Sequence, residues 1–282
     1  MVSVQRFVNL NDIVQEAEEH SINVDTDWPK TGVVEFKNVT LKYRPTTDAV
    51  LRNLSFVVDP GTKVGVVGRT GAGKSTICIS LSRIVELFDG SIAIDGLDIS
   101  KIDLQKLREK VTVIPQDPTL FTGSLKFNLD PYDNAPAERI EELLEKAGLG
   151  DLLTRSENAD LEHRGINMKI TEGGKNLSAG ERQLLCICRA ILRKNKIVIL
   201  DEATANIDVV TEQKIQKLIN EEFTNSTVIT IAHRLNTIIK SDKVLVLSRG
   251  QLVEYDAPKN LIANPESEFS QLLKELKKKK DN

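Results

Sequence analysis

A chain of 282 residues with 40% hydrophobic and 28% charged positions is long enough for one or two domains and a large core. Its net charge of −3 gives no overall pull toward nucleic acid. No apolar run approaches the about 20 residues needed to span a bilayer, and no secretory signal is visible at the start. Cys78, Cys186 and Cys188 form no C-x-x-C pair and sit among apolar residues. They indicate core packing in a reducing compartment rather than a metal site or disulfide. No internal repeat is visible.

Residues from Met1 to about Lys30 are polar and acidic, with Glu16, Glu18 and Glu19 close together, a weak helical pattern (Val4, Phe7, Val8) and a Trp28-Pro29 break. This part reads as a linker or docking segment outside the core. Val34, Phe36, Val39, Leu41 and Tyr43 alternate with polar residues and predict a strand; Val50 to Val58 predicts a second, ending at Pro60. The apolar run Lys63 to Val67 then leads into Gly68-Arg69-Thr70-Gly71-Ala72-Gly73-Lys74-Ser75, and Ile77, Leu81, Ile84 and Val85 continue at helical spacing, so a helix is expected over 73–85. Strand, glycine loop and helix is the context that the phosphate-binding pattern G-x-x-x-x-G-K-S/T requires. Glycines let consecutive N–H groups curl into an anion nest, and the helix N-terminus adds partial positive charge. Lys74 would reach the terminal phosphates and Ser75 would hold Mg²⁺. The bland alternative is a glycine turn that merely caps a helix.

Ile92 to Ile94 and Val111 to Ile114 predict further strands, the second stopped by Pro115. The middle third is mostly helical. Ile140, Leu143, Leu144 and Ala147 share a face within 134–150, and a second helix is expected over 178–192. Strands return at Ile197 to Leu200 and Thr227 to Ile231, with a helix over 211–223 between them. Continuous β-branched runs separated by helices indicate a parallel sheet covered on both faces. Val244 to Leu247 and Gln251 to Tyr255 close the pattern as a hairpin, and the chain ends in a lysine run. The fold class expected is α/β: a P-loop NTPase core with a small antiparallel part and an inserted α-helical subdomain.

Asp201 and Glu202 follow Leu200 at the carboxyl end of a strand, where ligands gather in open α/β sheets. Asp201 fits the carboxylate that holds Mg²⁺ and Glu202 a general base for water; a helix cap followed by a first-turn acid is the alternative. Ser178 and Glu181 in Leu177-Ser178-Ala179-Gly180-Glu181 form an S-x-x-E capping box, and Gly180 would also allow a phosphate close to the exposed N–H groups. His233 follows a strand expected beside that of Asp201, whereas His20 and His163 have no such placement. Gln116 could touch Mg²⁺ or water, and Tyr43 could stack on a base; a loop glutamine and a packed edge tyrosine are their plain alternatives.

In this order, Tyr43, G-R-T-G-A-G-K-S, Gln116, L-S-A-G-E-R-Q, I-V-I-L-D-E and His233 resemble the nucleotide-binding domain of an ATP-binding cassette (ABC) transporter over about Val33 to Leu273. The strings at Ile114 to Pro118, Leu120-Phe121, Asn128 to Pro131, Asp201 to Asn206 and Ala232 to Ile238 are similar to the second such domain of the multidrug-resistance-associated subfamily. Residues 1–32 resemble the linker after its last membrane helix, implying that the chain is part of a longer transporter. Residues 33–273 would be the nucleotide-binding domain, with its RecA-like core at about 33–115 and 194–273 and its helical subdomain at about 116–193; 274–282 would be a basic tail. The resemblance implies a head-to-tail pair closing on two ATP molecules at the cytoplasmic face of a membrane, driving membrane-spanning domains through the surface around Pro118 to Ser124. It assigns Tyr43 to adenine, and Arg69, Thr70, Gly71, Ala72, Gly73, Lys74, Ser75 and Thr76 to ATP. Ser178 and Gly180 would serve the partner's ATP in trans, with Asp208 in the loop that crosses over. Ser75, Gln116 and Asp201 would serve Mg²⁺, with Gln116, Glu202 and His233 catalytic.

One position departs from the resemblance. The family usually has glutamine at 181, and a carboxylate there would repel the γ-phosphate bound in trans while keeping the cap. Three rival classes share parts of this pattern. A chromosome-maintenance or repair ATPase would place long coiled coils between Lys74 and Asp201, and no basic groove for nucleic acid is evident. A GTPase would carry N-K-x-D, whereas Asn195-Lys196 is followed by Ile197-Val198. A non-hydrolysing regulatory module is disfavoured by the intact Asp201, Glu202 and His233.

Overall fold

The structure is a computed structural model and describes residues 22–155, 164–201, 207–231 and 238–278. The patterns read at Val4 to Glu19, and Glu202, His233, His20 and His163, lie outside the described residues.

The strands are β1 (Val34–Leu41), β2 (Leu51–Val58), β3 (Lys63–Gly68), β4 (Asp89–Ile94), β5 (Leu97–Asp98), β6 (Val111–Ile114), β7 (Gly123–Ser124), β8 (Lys169–Ile170), β9 (Ile197–Asp201), β10 (Thr227–Ile231), β11 (Lys243–Ser248) and β12 (Gln251–Asp256). The helices are α1 (Lys74–Leu81), α2 (Leu104–Lys110), α3 (Leu125–Leu129), α4 (Ala137–Lys146), α5 (Asp151–Thr154), α6 (Ala179–Arg193), α7 (Val209–Glu222), α8 (Pro258–Ala263) and α9 (Glu268–Lys278). One sheet runs β12-β11-β3-β10-β9-β6, parallel except for the β11–β12 hairpin; a second, antiparallel sheet runs β2-β1-β4-β5.

Period-two alternation divides the central strands between cores. In β9, Ile197 and Ile199 face a core shared with α1 and the antiparallel sheet, whereas Val198 and Leu200 face the helical middle third. In β11, Leu245 and Leu247 join the first of these, and Val244 and Val246 pack with Phe269 and Leu273 of α9. Both faces of the parallel sheet are therefore covered, which is why its strands read as unbroken apolar runs.

Helix α1 stops at Leu81, short of the expected 85. Arg83 takes a left-handed backbone (φ 46°) and buries its guanidinium, donating to the carbonyls of Ile99 (2.9 Å) and Ile102 (2.8 Å) and pairing with Glu86 (2.9 Å). The segment before β1 is packed as well. Trp28 is 5% exposed, and its ring N–H donates to the Ile94 carbonyl at 3.3 Å. At the other end, α9 runs on to Lys278, so part of the lysine run is helical.

Asp95 ties this N-terminal segment to β4. Its carboxylate accepts from the N–H groups of Thr31 (2.8 Å), Gly32 (2.9 Å) and Val33 (2.8 Å) and from the Thr31 hydroxyl (2.6 Å). Burial alone would raise its pKa, but these donors outweigh burial and hold it below the usual carboxylate value. A depressed folded-state pKa contributes stability that is fully present above the unfolded value, about 3.9, and is lost as pH falls through the folded value. Asp95→Asn should therefore lower stability at pH 7 by about 1–2 kcal/mol. The gap from wild type in urea unfolding should close as pH falls below about 4. A gap independent of pH would contradict this role.

Candidate functional site

The phosphate loop joins the end of β3 to α1. Gly73 caps α1 in the left-handed region (φ 99°), and a Cβ there would lie 2.9 Å from the Leu51 side chain and 3.2 Å from the Val50 carbonyl oxygen, so β2 backs the loop tightly. Gly71 (φ 79°) instead faces open space, with no atom within 4 Å of where its Cβ would be. One side of the loop is thus sealed by protein and the other is left clear. Lys74 is 7% exposed, and its ammonium donates to the carbonyls of Gly68 (2.9 Å) and Arg69 (3.3 Å), drawing the loop into a ring.

The residues around this ring come from distant parts of the chain. The Ser75 hydroxyl lies 3.3 Å from a carboxylate oxygen of Asp201, which β9 delivers to the same edge of the sheet two strands from β3. The Tyr43 hydroxyl is 3.1 Å from that of Thr76, and the ring is 47% exposed beside α1. The Arg69 side chain turns away to pair with Glu275 of α9 at 2.8 Å. Gln116 is exposed just beyond β6, whose Ile114 is paired with Leu200 one residue before Asp201. Strand β10 pairs with β9, with Ile231 opposite Asp201, as the expected placement of His233 requires; His233 and Glu202 themselves are not described. A hydroxyl and a carboxylate side by side are hard oxygen donors suited to Mg²⁺.

Helix α6 begins with a complete capping box. The Glu181 N–H donates to the Ser178 hydroxyl (3.2 Å), and the Ser178 N–H donates to the Glu181 carboxylate (2.7 Å). Gly180 has a reason within the chain: its Cβ would stand 3.1 Å from Thr211, so the glycine lets the start of α6 lie against α7. Asp208 caps α7 by accepting from the Thr211 N–H at 2.9 Å. Ser178, Gly180, Glu181, Asp208 and Lys214 line a cavity of about 350 Å³. It is built by α5, α6 and α7, apart from the phosphate loop.

Glu181 has a partner that the sequence did not disclose. Arg155, just after α5, donates to its second carboxylate oxygen at 2.7 Å. Burial alone would raise the Glu181 pKa, but Arg155 and Ser178 outweigh it and hold the carboxyl below its usual range. The cysteines match their expected role: all three are buried, and burial pushes the Cys188 thiol up to about 12. Among the described residues no group of three or more His, Cys, Asp or Glu could hold a metal ion, and no helix is long and apolar enough to cross a membrane.

The sequence signature of the ABC transporter family matches residues 51–205. ABC transporter C family member 13 of Dictyostelium discoideum is 47% identical over 260 residues, covering 92% of this chain and 19% of that protein. ATP-binding cassette sub-family C member 2 of Rattus norvegicus is 51% identical over 238 residues, 84% of this chain and 15% of that protein. The chain thus spans less than about a fifth of these relatives. Among solved structures, a bacterial Atm1-family ABC exporter with ATP bound superposes with a TM-score of 0.84 at 30% identity, covering 98% of this chain and 47% of that one.

Proposed function

The chain belongs to the ABC transporter family and carries that family's ATPase domain, and from this premise we propose that it powers export in a multidrug-resistance-associated type transporter by pairing head to tail with another nucleotide-binding domain. The domain takes in the packed segment from Ile22 and runs to the end of α9 at Lys278, and the residues before it serve as the linker from a membrane domain. The domain works at the cytoplasmic face of the membrane. The observation that carries this reading is the meeting of Ser75 and Asp201 at 3.3 Å beside the Lys74 ring, although 126 positions separate them in sequence.

In this reading Tyr43 stacks on adenine, and the N–H groups of 69–76 and the Lys74 ammonium wrap the phosphates. Lys74 leaves its loop carbonyls for the phosphate oxygens when ATP enters. Ser75 and Asp201, with Gln116, would hold Mg²⁺, which when bound would supply neutralisation of charge developing on the phosphates. Glu202 takes a proton from water as the water oxygen attacks the γ-phosphorus, the bond to the bridging oxygen breaks, and ADP leaves. His233 holds the γ-phosphate in line. Ser178 and Gly180 meet the ATP of the partner domain, and the membrane-spanning domains respond to closure.

ATP binding to the full chain, with Mg²⁺ and with a chelator, tests this reading. Mg²⁺ should strengthen wild-type binding. Asp201→Asn should weaken binding with Mg²⁺ by at least about tenfold and leave chelated binding unchanged. Equal affinity with and without Mg²⁺ in the wild type would refute the assignment.

A further inference from the structure

We propose that Arg155 is a positioning residue that neutralises Glu181, so that the start of α6 can receive the phosphates of ATP bound to the partner domain. This rests on the function proposed above and assigns a task to a residue outside its motifs.

Both oxygens of the Glu181 carboxylate are engaged. One accepts from the Ser178 N–H at 2.7 Å, the other from Arg155 at 2.7 Å. The first contact is the capping box, and a glutamine could make it through its amide oxygen. The second is a charge pair that glutamine could not make. The glutamate side chain is 20% exposed, so its charge lies close to the surface that a ligand would meet. Asp151, Asp208 and Lys214 line the same cavity. Without the Arg155 guanidinium, three carboxylates would face one ammonium there; with it, one of the three is offset where the helix N-terminus is exposed. Arg155 and Glu181 therefore act as a unit that does the work of an uncharged residue at 181.

The size of the effect follows from Coulomb's law. An unpaired carboxylate one helical turn from a doubly charged phosphate costs about a tenfold loss in affinity even with the full screening of bulk water. Arg155→Ala should therefore raise the half-saturating MgATP concentration by about tenfold while changing kcat by less than about twofold.

The test is a double-mutant cycle on ATP turnover by the intact protein, with Arg155→Ala, Glu181→Gln, the double variant and Arg155→Lys. Glu181→Gln alone should match wild type or saturate at lower ATP, because it removes the carboxylate that the pair holds in check. The double variant should behave like Glu181→Gln, and Arg155→Lys should recover most of the wild-type KM. If Arg155→Ala raises KM just as much in the Glu181→Gln background, Arg155 acts through packing and the proposal falls. An unchanged KM in Arg155→Ala overturns it too. A wild type that does not turn over MgATP sinks the proposed function instead, so the two failures are distinct.

Discussion

Glu202→Gln is expected to lower ATP turnover by about 10²–10⁴-fold, equivalent to about 2.7–5.4 kcal/mol of barrier, while ATP affinity stays within about threefold of wild type. The amide matches the carboxylate in shape, so the pocket keeps its form, but it cannot accept the proton of the attacking water. Binding should survive because the proposed phosphate contacts lie elsewhere, in the loop N–H groups and the Lys74 ammonium. In the proposed arrangement Asp201 would serve Mg²⁺ and His233 the γ-phosphate, which leaves the base role to Glu202. Turnover at saturating MgATP and equilibrium ATP binding check the two halves of this result separately. A variant that hydrolysed ATP at the wild-type rate would remove Glu202 from the chemistry.

Lys74→Ala should show the opposite pattern, losing ATP affinity by about 10–100-fold or more, since a hydrogen bond to a charged group contributes about 1.5–3 kcal/mol. The ammonium is buried, and it donates to two carbonyls of its own loop, Gly68 and Arg69. Its removal therefore deletes the phosphate contact and also releases the brace that keeps the loop curled. Lys74→Arg should not restore binding, because a planar guanidinium does not fit a site shaped for a compact ammonium. Titration calorimetry checks both variants, with circular dichroism confirming that each is folded. Wild-type affinity in Lys74→Ala would contradict the loop assignment.

Much of the fold was legible because its signals are local. The buried strands β3, β9, β10 and β11 are short β-branched runs, and helices α6 and α7 on either side of β9 mark the sheet as parallel. What was not legible depends on contacts between distant segments. The early end of α1 comes from Arg83 reaching carbonyls 16 and 19 positions away. Helix α2 has little apolar periodicity in seven residues and is held by the Asp103 side chain, which accepts from the Lys106 N–H. Trp28 looked like a linker residue because its pocket is formed by strands that follow it in the chain.

The candidate site divides in the same way. The phosphate loop, the acids after β9 and the S-x-x-E cap are motifs carried by consecutive residues. The charge on Glu181 was legible, but its neutralisation was not, because Arg155 sits 26 residues earlier on another helix end. Gly180 read as room for a phosphate, and the structure adds its contact with Thr211. Asp208 read as a crossing-loop residue, and it is also the cap of α7.

Phosphate release from MgATP, measured side by side for wild type, Lys74→Ala and Glu202→Gln with ATP occupancy recorded in each, is the most direct test that this chain carries a working ATPase site. Expected are turnover and occupancy in the wild type, neither in Lys74→Ala, and occupancy without turnover in Glu202→Gln. Equal turnover in all three, or a wild type that neither binds nor cleaves MgATP, would contradict it.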